Sequence, residues 1–188
     1  MANVDRPDGF RFIKSLSGNP MNSLVRDVQP GSDDLYIGDP ISITSGVAVQ
    51  AAVEGIVAGV IVGWGSTDDD GNVVPLNQVH AEKKWFDDSA ETNADWRVLY
   101  VPAENTIWEA QFDDSEDIVI GEGYDFLVAG AGTSASGQSK FEIDGDAKTN
   151  DGDVVVVETP RGPKYDQATG VANKRVWVSF VNTLAGQI

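Results

Sequence analysis

The alternation of apolar and polar residues is clearest between residues 96 and 112, where it predicts two β-strands joined by a turn. The two runs are residues 97–101 and 107–112. In the second run, Glu109 and Gln111 take one face, which we expect to be wet, and the opposite face is apolar. Pro102 and Asn105 lie between the runs and favour a turn. The pattern therefore predicts a β-hairpin whose aromatic face is covered by the rest of the chain.

Other short apolar runs also have the composition of β-strands. Residues 41–44 alternate after a Gly-Asp-Pro turn. Residues 46–65 suit short strands with glycine bends, because glycine is unfavourable by about 1 kcal/mol inside a helix. Five later runs are predicted strands, at residues 117–120, 124–129, 139–143, 153–159 and 175–181. Short strands at this spacing predict an all-β fold, either a compact barrel or a sandwich.

Residues 1–31 differ from the rest of the chain in charge and in pattern. They carry four basic and three acidic residues, so this segment is +1 while the remainder is −18. Six prolines and glycines lie among isolated apolar residues, and no sustained period is present. We predict an extended N-terminal arm over residues 1–31 and a β-rich domain over residues 32–188. The alternative is an ordinary edge strand with loops packed on the body of the same domain.

Composition narrows the classes of function. A chain of 188 residues with 41% hydrophobic residues can bury one sizeable core, and the absence of cysteine excludes disulfides and thiolate chemistry. No apolar run reaches about 18 residues, and the N-terminus lacks the apolar core of a signal peptide, so we expect a soluble chain made in the cytoplasm. A net charge of −17 argues against binding nucleic acid through the general surface.

Several motifs approach known sites but are incomplete. Residues 66–71 resemble the start of a calcium loop, yet Ser66 and Asn77 stand where Asp and a bidentate Glu are required. Residues 132–139 differ from a phosphate-binding loop by Gln138, which stands where that loop uses lysine. Asp144 and Asp146 favour Asx-turns over a metal site. We therefore predict a protein that is not an enzyme and has no catalytic, cofactor-binding or metal-binding residues.

The order of segments along the chain resembles a family of phage proteins. The segments begin with P-x-G-F-R at Pro7 to Arg11 and continue with LYIGDPISI, EGIVAGVIVGW, WRVLYVPAENTIWEAQF, GAGTSASGQSKFEID and RVWVSFVN. This order is similar to the head decoration, or cement, proteins of tailed bacteriophages, particularly those of marine phages. The resemblance implies a β-tulip-like body that sits as a homotrimer on the outer capsid surface and bridges major capsid protein subunits. It implies no catalytic residues.

The expected function is therefore structural: the protein cements neighbouring capsid subunits against the pressure of packaged DNA. We expect the less acidic arm to meet the capsid, because charge complementarity guides docking. The candidate capsid-binding residues are Phe10, Arg11, Phe12, Lys14, Leu16 and Arg26. Another virion part, such as a tail, neck or head fibre protein, is the alternative. A glycan-binding or glycan-degrading virion protein is a more distant one. We expect no direct contact with nucleic acid or membrane.

Overall fold

The computed structural model describes residues 3, 5, 7–18, 22–28, 34–67, 73–75, 96–113, 115–128, 132, 136–149, 151–162, 165, 167–168 and 170–184. These residues form twelve β-strands and contain no α-helix, so the all-β prediction is confirmed. The first six strands are β1 (Arg11–Ser15), β2 (Leu24–Asp27), β3 (Pro40–Thr44), β4 (Val47–Gln50), β5 (Gly59–Thr67) and β6 (Val73–Pro75). The other six are β7 (Trp96–Pro102), β8 (Thr106–Phe112), β9 (Gly123–Val128), β10 (Phe141–Thr149), β11 (Val154–Glu158) and β12 (Lys174–Phe180).

The first sheet closes into a five-stranded barrel. Its strands follow the order β8, β10, β9, β11 and β12, and β12 returns to pair with β8. The contact between β8 and β10 is short, at Phe112 and Ile143. The earlier part of the same edge of β8 therefore remains open, and β1 pairs with it from Thr106 to Glu109. β1 is a sixth strand attached outside the closed barrel.

The second sheet packs against the barrel. Its order is β2, β7, β5, β3 and β4, with β6 added to β5. Val60 and Val101 from this sheet join the barrel side chains Trp108 and Phe180 in one apolar cluster. A second cluster, which includes Trp64 and Trp96 in edge-to-face contact, lies within the second sheet. The two sheets thus share the larger core, as layered β-proteins do.

The predicted hairpin at residues 96–112 is wrong in its pairing, although both of its strands are present. β7 belongs to the second sheet and β8 to the barrel. Between them, the Thr106 hydroxyl donates to the carbonyls of Pro102 and Ala103, at 3.1 and 2.7 Å, and Asn105 has a φ of +54°. The N–H of Ala103 donates to the carbonyl of Ala58 at 3.1 Å. These bonds form a corner that carries the chain from one sheet into the other.

Four of the five later predicted strands are confirmed, as β9, β10, β11 and β12. The strand predicted at residues 117–120 is wrong. There the chain turns: the N–H of Glu122 donates to the carbonyl of Val119, and the N–H of Gly121 donates to Val156 of β11. Ile118 packs against the barrel core, whereas Val119 and Ile120 are exposed, so the segment forms a turn instead of extending a sheet.

Residues 1–31 contribute two edge strands in the part that the structure describes. β1 pairs with β8 of the first sheet, and β2 pairs with β7 at one edge of the second sheet. Just before β1, the N–H of Phe10 donates to the carbonyl of Gly38 at 2.9 Å, and the Phe10 ring enters the barrel core. These residues therefore lie on the body of the protein, as the edge-strand alternative expects.

Candidate functional site

The residues predicted to bind the capsid differ in accessibility. Phe10 is 3% exposed, and its ring centroid lies 4.9 Å from that of Phe180. Phe12 is half-buried and packs edge-to-face on Trp108, with centroids 5.4 Å apart. Phe10 is therefore removed from the predicted binding surface, since its ring is part of the barrel core. Sequence pattern could not separate Phe10 from Phe12, because both stand in a segment without a sustained period.

Four exposed side chains lie on β1 and β2 or, for Leu16, just after β1. Leu16 is 60% exposed, and its N–H donates to the carbonyl of Asn105 in the corner between β7 and β8. Leu24 is 48% exposed and pairs with Tyr100, shortly before the corner. We name this set the N-terminal edge surface: Lys14, Leu16, Leu24 and Arg26. Leu24 was not among the predicted binding residues, although its isolation in a polar segment was a signal for it.

The cations of this surface are available for binding. Lys14 lies over the ring of Trp177, 5.7 Å from its centroid, and Arg26 is exposed on β2. Among the described residues, neither forms an ion pair with a carboxylate. Arg11 differs, because its guanidinium contacts Glu109 at 2.6 Å. Its charge is therefore balanced within the protein.

The face of β8 that was predicted to be wet is buried. Glu109 and Gln111 are almost fully buried, so this part of the prediction is wrong. The Glu109 carboxylate accepts hydrogen bonds from Arg11, from the indole of Trp177 at 3.2 Å and from the hydroxyl of Tyr165 at 3.3 Å. A layer of polar side chains therefore covers the outside of the barrel at β8. It supplies the hydrogen bonds that the buried Glu109 carboxylate needs.

The same polar layer fastens the N-terminal segment to the barrel. Gln111 donates to Asp5 and to Glu142, each at 3.0 Å, and Asp8 forms an ion pair with Arg175 at 2.5 Å. Burial raises the pKa of Glu142 above its ordinary value, and the hydrogen bond from Gln111 acts in the opposite direction. Asp5, Asp8 and Arg11 are thus anchored by polar and charged contacts, in addition to the burial of Phe10.

An apolar groove runs beside β1, between the two sheets. Its cavity volume is about 280 Å³. The apolar side chains that line it are Phe10, Phe12, Ile37, Ile61 and Val62. Asp8, Arg11 and Gln138 lie at its polar margin. The groove is therefore an apolar channel next to β1, on the side of this strand that pairs with no other among the described residues.

Asp39 is a buried carboxyl at the start of β3. Its carboxylate accepts the N–H of Tyr36 at 2.8 Å and has a side-chain hydrogen bond with Ser139. Burial raises the pKa of Asp39 from 3.8 to about 7, and these hydrogen bonds oppose the rise only in part. The group therefore changes charge near neutral pH while it is enclosed by protein.

Asp153 is the second buried carboxyl with a raised pKa. Burial raises the pKa of Asp153 to about 6, and the nearby charges of Asp125 and Glu54 add to the rise. Its two oxygens accept the N–H of Glu54 at 2.8 Å and the N–H of Phe126 at 3.4 Å. Asp153 thus connects the turn after β4 to β9 of the barrel.

The incomplete motifs gain no support in the described part of the chain. Those residues contain no group of three or more His, Asp and Glu side chains that could hold a metal ion. The Asx-turn prediction is confirmed for Asp144, because its carboxylate accepts the N–H groups of Asp146 and Ala147 at 3.0 and 3.1 Å. Most of the calcium-like loop, at residues 68–72, lies outside the described residues, as do residues 133–135 of the phosphate-loop-like segment.

None of the described residues forms a helix long and apolar enough to cross a membrane. Comparison of the chain with protein-family models, curated proteins and solved structures gave no match.

Proposed function

We propose that the protein is a virion structural protein that binds the outer capsid surface of a tailed bacteriophage and cements neighbouring major capsid protein subunits. The observation that carries this proposal is the N-terminal edge surface: two exposed leucines, with two cations that form no ion pair among the described residues, on a molecule of net charge −17. Exposed large apolar side chains grouped with charge of the opposite sign to the rest of the molecule are typical of a docking surface. The resemblance of the chain to head decoration proteins is the reason for proposing the major capsid protein as the partner.

The position of this surface fits a bridging role. β1 is attached to the barrel at β8, and its other side pairs with no strand among the described residues. β2 pairs with β7 on one side, and Val28, just after β2, bridges Ala48 of β4. An edge strand can accept another strand through main-chain hydrogen bonds, which allows a neighbouring subunit to add to the sheet. The acidic remainder of the molecule would then face solvent, where it repels other acidic surfaces and favours solubility.

We expect the protein to form a trimer on the shell. In free solution we expect this trimer to be weak. Three bodies of charge −17 repel one another, and the repulsion is strongest at low ionic strength. Sedimentation velocity of the free protein should therefore give mainly monomer at low salt. Cryo-electron micrographs of decorated capsids should give density for three copies around each attachment point. Density on the tail, neck or head fibres instead of the shell would assign the protein to another virion part.

The charge of the edge surface is tested by the double variant Lys14→Glu and Arg26→Glu, with co-sedimentation on undecorated capsids as the measurement. We expect it to weaken attachment strongly at low salt and less at high salt, because salt screens exposed charges. The matched control is Lys140→Glu with Arg161→Glu, which makes the same change of charge at two sites outside the N-terminal strands, where neither cation forms an ion pair among the described residues. Equal weakening by both pairs would mean that net charge alone governs attachment, which contradicts the proposed site.

The apolar part of the surface is tested by Leu16→Ser with Leu24→Ser. Both side chains are exposed, so the variant should keep its melting temperature and lose attachment at every salt concentration. The control is Val53→Ser with Val181→Ser, since these two are also exposed but lie far along the chain. Normal attachment of the leucine variant would exclude this surface as the capsid contact. Arg11 is unsuitable for such a test, because Arg11→Glu would place two carboxylates together at Glu109.

A further inference from the structure

One end of the barrel contains a polar pocket that the proposed capsid contact does not use. It lies where β8 ends and β12 begins, and its cavity volume is about 340 Å³. It is lined by Asp117, Ile118, Ile120, Thr159, Gln167 and Lys174. The mouths of β-barrels are frequent places for small-molecule sites, and this volume is within the usual range of roughly 300–1,000 Å³.

A buried lysine forms part of this pocket. Lys174 is 1% exposed and begins the inward-facing series of β12, which continues with Val176 and Val178. Its ammonium donates to the main-chain carbonyl of Glu116 at 2.9 Å. An ammonium has three N–H donors, and this is the one protein acceptor that the described residues provide. Buried donors without acceptors are unfavourable, so the environment suits a further acceptor at Lys174.

A glutamine supplies the complementary group. The side-chain nitrogen of Gln167 donates to the carbonyl of Arg175 at 2.9 Å, which fixes the orientation of its amide. The amide oxygen of Gln167 is buried and has no hydrogen-bond partner among the described residues. Within that part of the chain, the pocket therefore has an acceptor without a donor at Gln167 and two N–H donors without acceptors at Lys174. Both groups are held by main-chain contacts and not by each other.

A ligand that fits must both accept and donate hydrogen bonds. A hydroxyl group does both, since it can accept from Lys174 while a neighbouring hydroxyl donates to Gln167 or Asp117. The two charged groups of the pocket, Lys174 and Asp117, balance each other, and the molecule as a whole carries −17, so an uncharged ligand is favoured over an anion. The side chains of Ile118 and Ile120 offer apolar contacts to the C–H groups of such a ligand.

We propose that the pocket at this end of the barrel binds a neutral polyhydroxy ligand, such as one sugar ring of a glycan. The juxtaposition of the buried Lys174 ammonium with the unpartnered Gln167 amide oxygen carries the proposal. It does not rest on capsid attachment, because the pocket and the N-terminal edge surface involve different residues. A capsid-free protein therefore tests it.

The test uses the full-length protein and saturation-transfer NMR with a panel of uncharged methyl glycosides: the glucoside, galactoside, mannoside and N-acetylglucosaminide. At least one should bind with a millimolar or lower Kd. Lys174→Met should weaken that binding by about tenfold or more, the loss for a hydrogen bond to a charged group. Lys148→Met removes an exposed lysine outside the pocket and should leave binding unchanged.

Thr159→Val gives a second, milder variant in case Lys174→Met does not fold. Thr159 lies after β11, outside the barrel core, so its replacement should keep the melting temperature and weaken binding several-fold.

Acetate and glycine are the competing probes, for an anion and for a zwitterion. Tighter binding of either than of every glycoside would overturn the ligand class. Absence of glycoside binding, or binding unchanged in both variants, would overturn the site.

Discussion

Gly9 and Ser139 approach so closely that a Cβ added to Gly9 would lie 2.5 Å from the Cβ of Ser139. The same added atom would lie 2.6 Å from the carbonyl oxygen of Gly38, and Gly9 has a φ of +70°. This contact holds the chain just before Phe10, whose ring enters the barrel core. The fit between Gly9 and the loop before β10 therefore positions the chain where it enters β1.

We expect Gly9→Ala to be strongly destabilising. Left-handed backbone disfavours alanine by about 1 kcal/mol, and the clash with Ser139 and main chain should raise the total loss to roughly 3 kcal/mol or more. Gly18→Ala is the matched control, because Gly18 has a φ of +72° and nothing near its missing Cβ. Denaturant unfolding of both variants measures the difference. Equal losses would mean that backbone strain alone acts at Gly9.

Phe10→Ala should destabilise the protein by about 3–5 kcal/mol, as truncation of a buried aromatic does. Leu16→Ala, six residues later on an exposed side chain, should change stability by less than about 0.5 kcal/mol. Both values come from denaturant unfolding. For the same reason, deletion of residues 1–17 should lower stability instead of releasing an independent arm. A truncated protein with an unchanged melting temperature would contradict the packing of Phe10 described above.

The pH dependence of stability should carry a contribution from Asp39. Its pKa is raised from 3.8 to about 7 in the folded protein, so folding favours the protonated form. The stabilisation is therefore complete below about pH 4 and is lost as the pH rises through about 7. Asp39→Asn should remove this part of the slope, a change on the order of 2–4 kcal/mol between the two ends of that range.

Denaturant unfolding at several pH values measures this effect as the difference between Asp39→Asn and the unmodified protein. Asp151→Asn, at an exposed position, is the control for the removal of one carboxylate. Parallel stability curves for the Asp39 variant and the unmodified protein would show that folding does not raise the pKa of Asp39.

Asp153→Ala should lower stability by about 1–3 kcal/mol, because it leaves the N–H groups of Glu54 and Phe126 without their carboxylate acceptor. The loss should be accompanied by faster hydrogen exchange at these two amides, measured by NMR. Asp151→Ala, two residues earlier, serves as the control. Unchanged exchange at Glu54 would mean that the turn after β4 does not depend on this contact.

Strand positions could be predicted from the sequence, whereas their partners could not. Alternation located β7 and β8 because it is a local property of each strand. Pairing is not local: the chain turns before Thr106, whose hydroxyl donates to the carbonyls of Pro102 and Ala103, and β8 enters the other sheet. Pro102 and Asn105 favour turns in general, so neither residue distinguishes such a corner from a hairpin turn.

The polar residues of the candidate sites were harder to place for a related reason. A period of two separates the faces of a strand, but it does not say what covers each face. Glu109 was expected to be wet, and it is covered by Arg11 and Tyr165, which are distant in sequence. Lys174 shares the inward face of β12 with valines, a position that composition alone would assign to an apolar residue. Only the three-dimensional contacts identify these buried polar groups.

The pairing of β1 with β8 and of β2 with β7 also determines when the protein can finish folding during synthesis. β2 waits for β7, which ends at residue 102, and β1 waits for β8, which ends at residue 112. The barrel waits longer still, because β12 closes it against β8 and ends at residue 180. The nascent chain therefore holds unpaired strands through most of its translation, and the fold is completed only as the last strand leaves the ribosome.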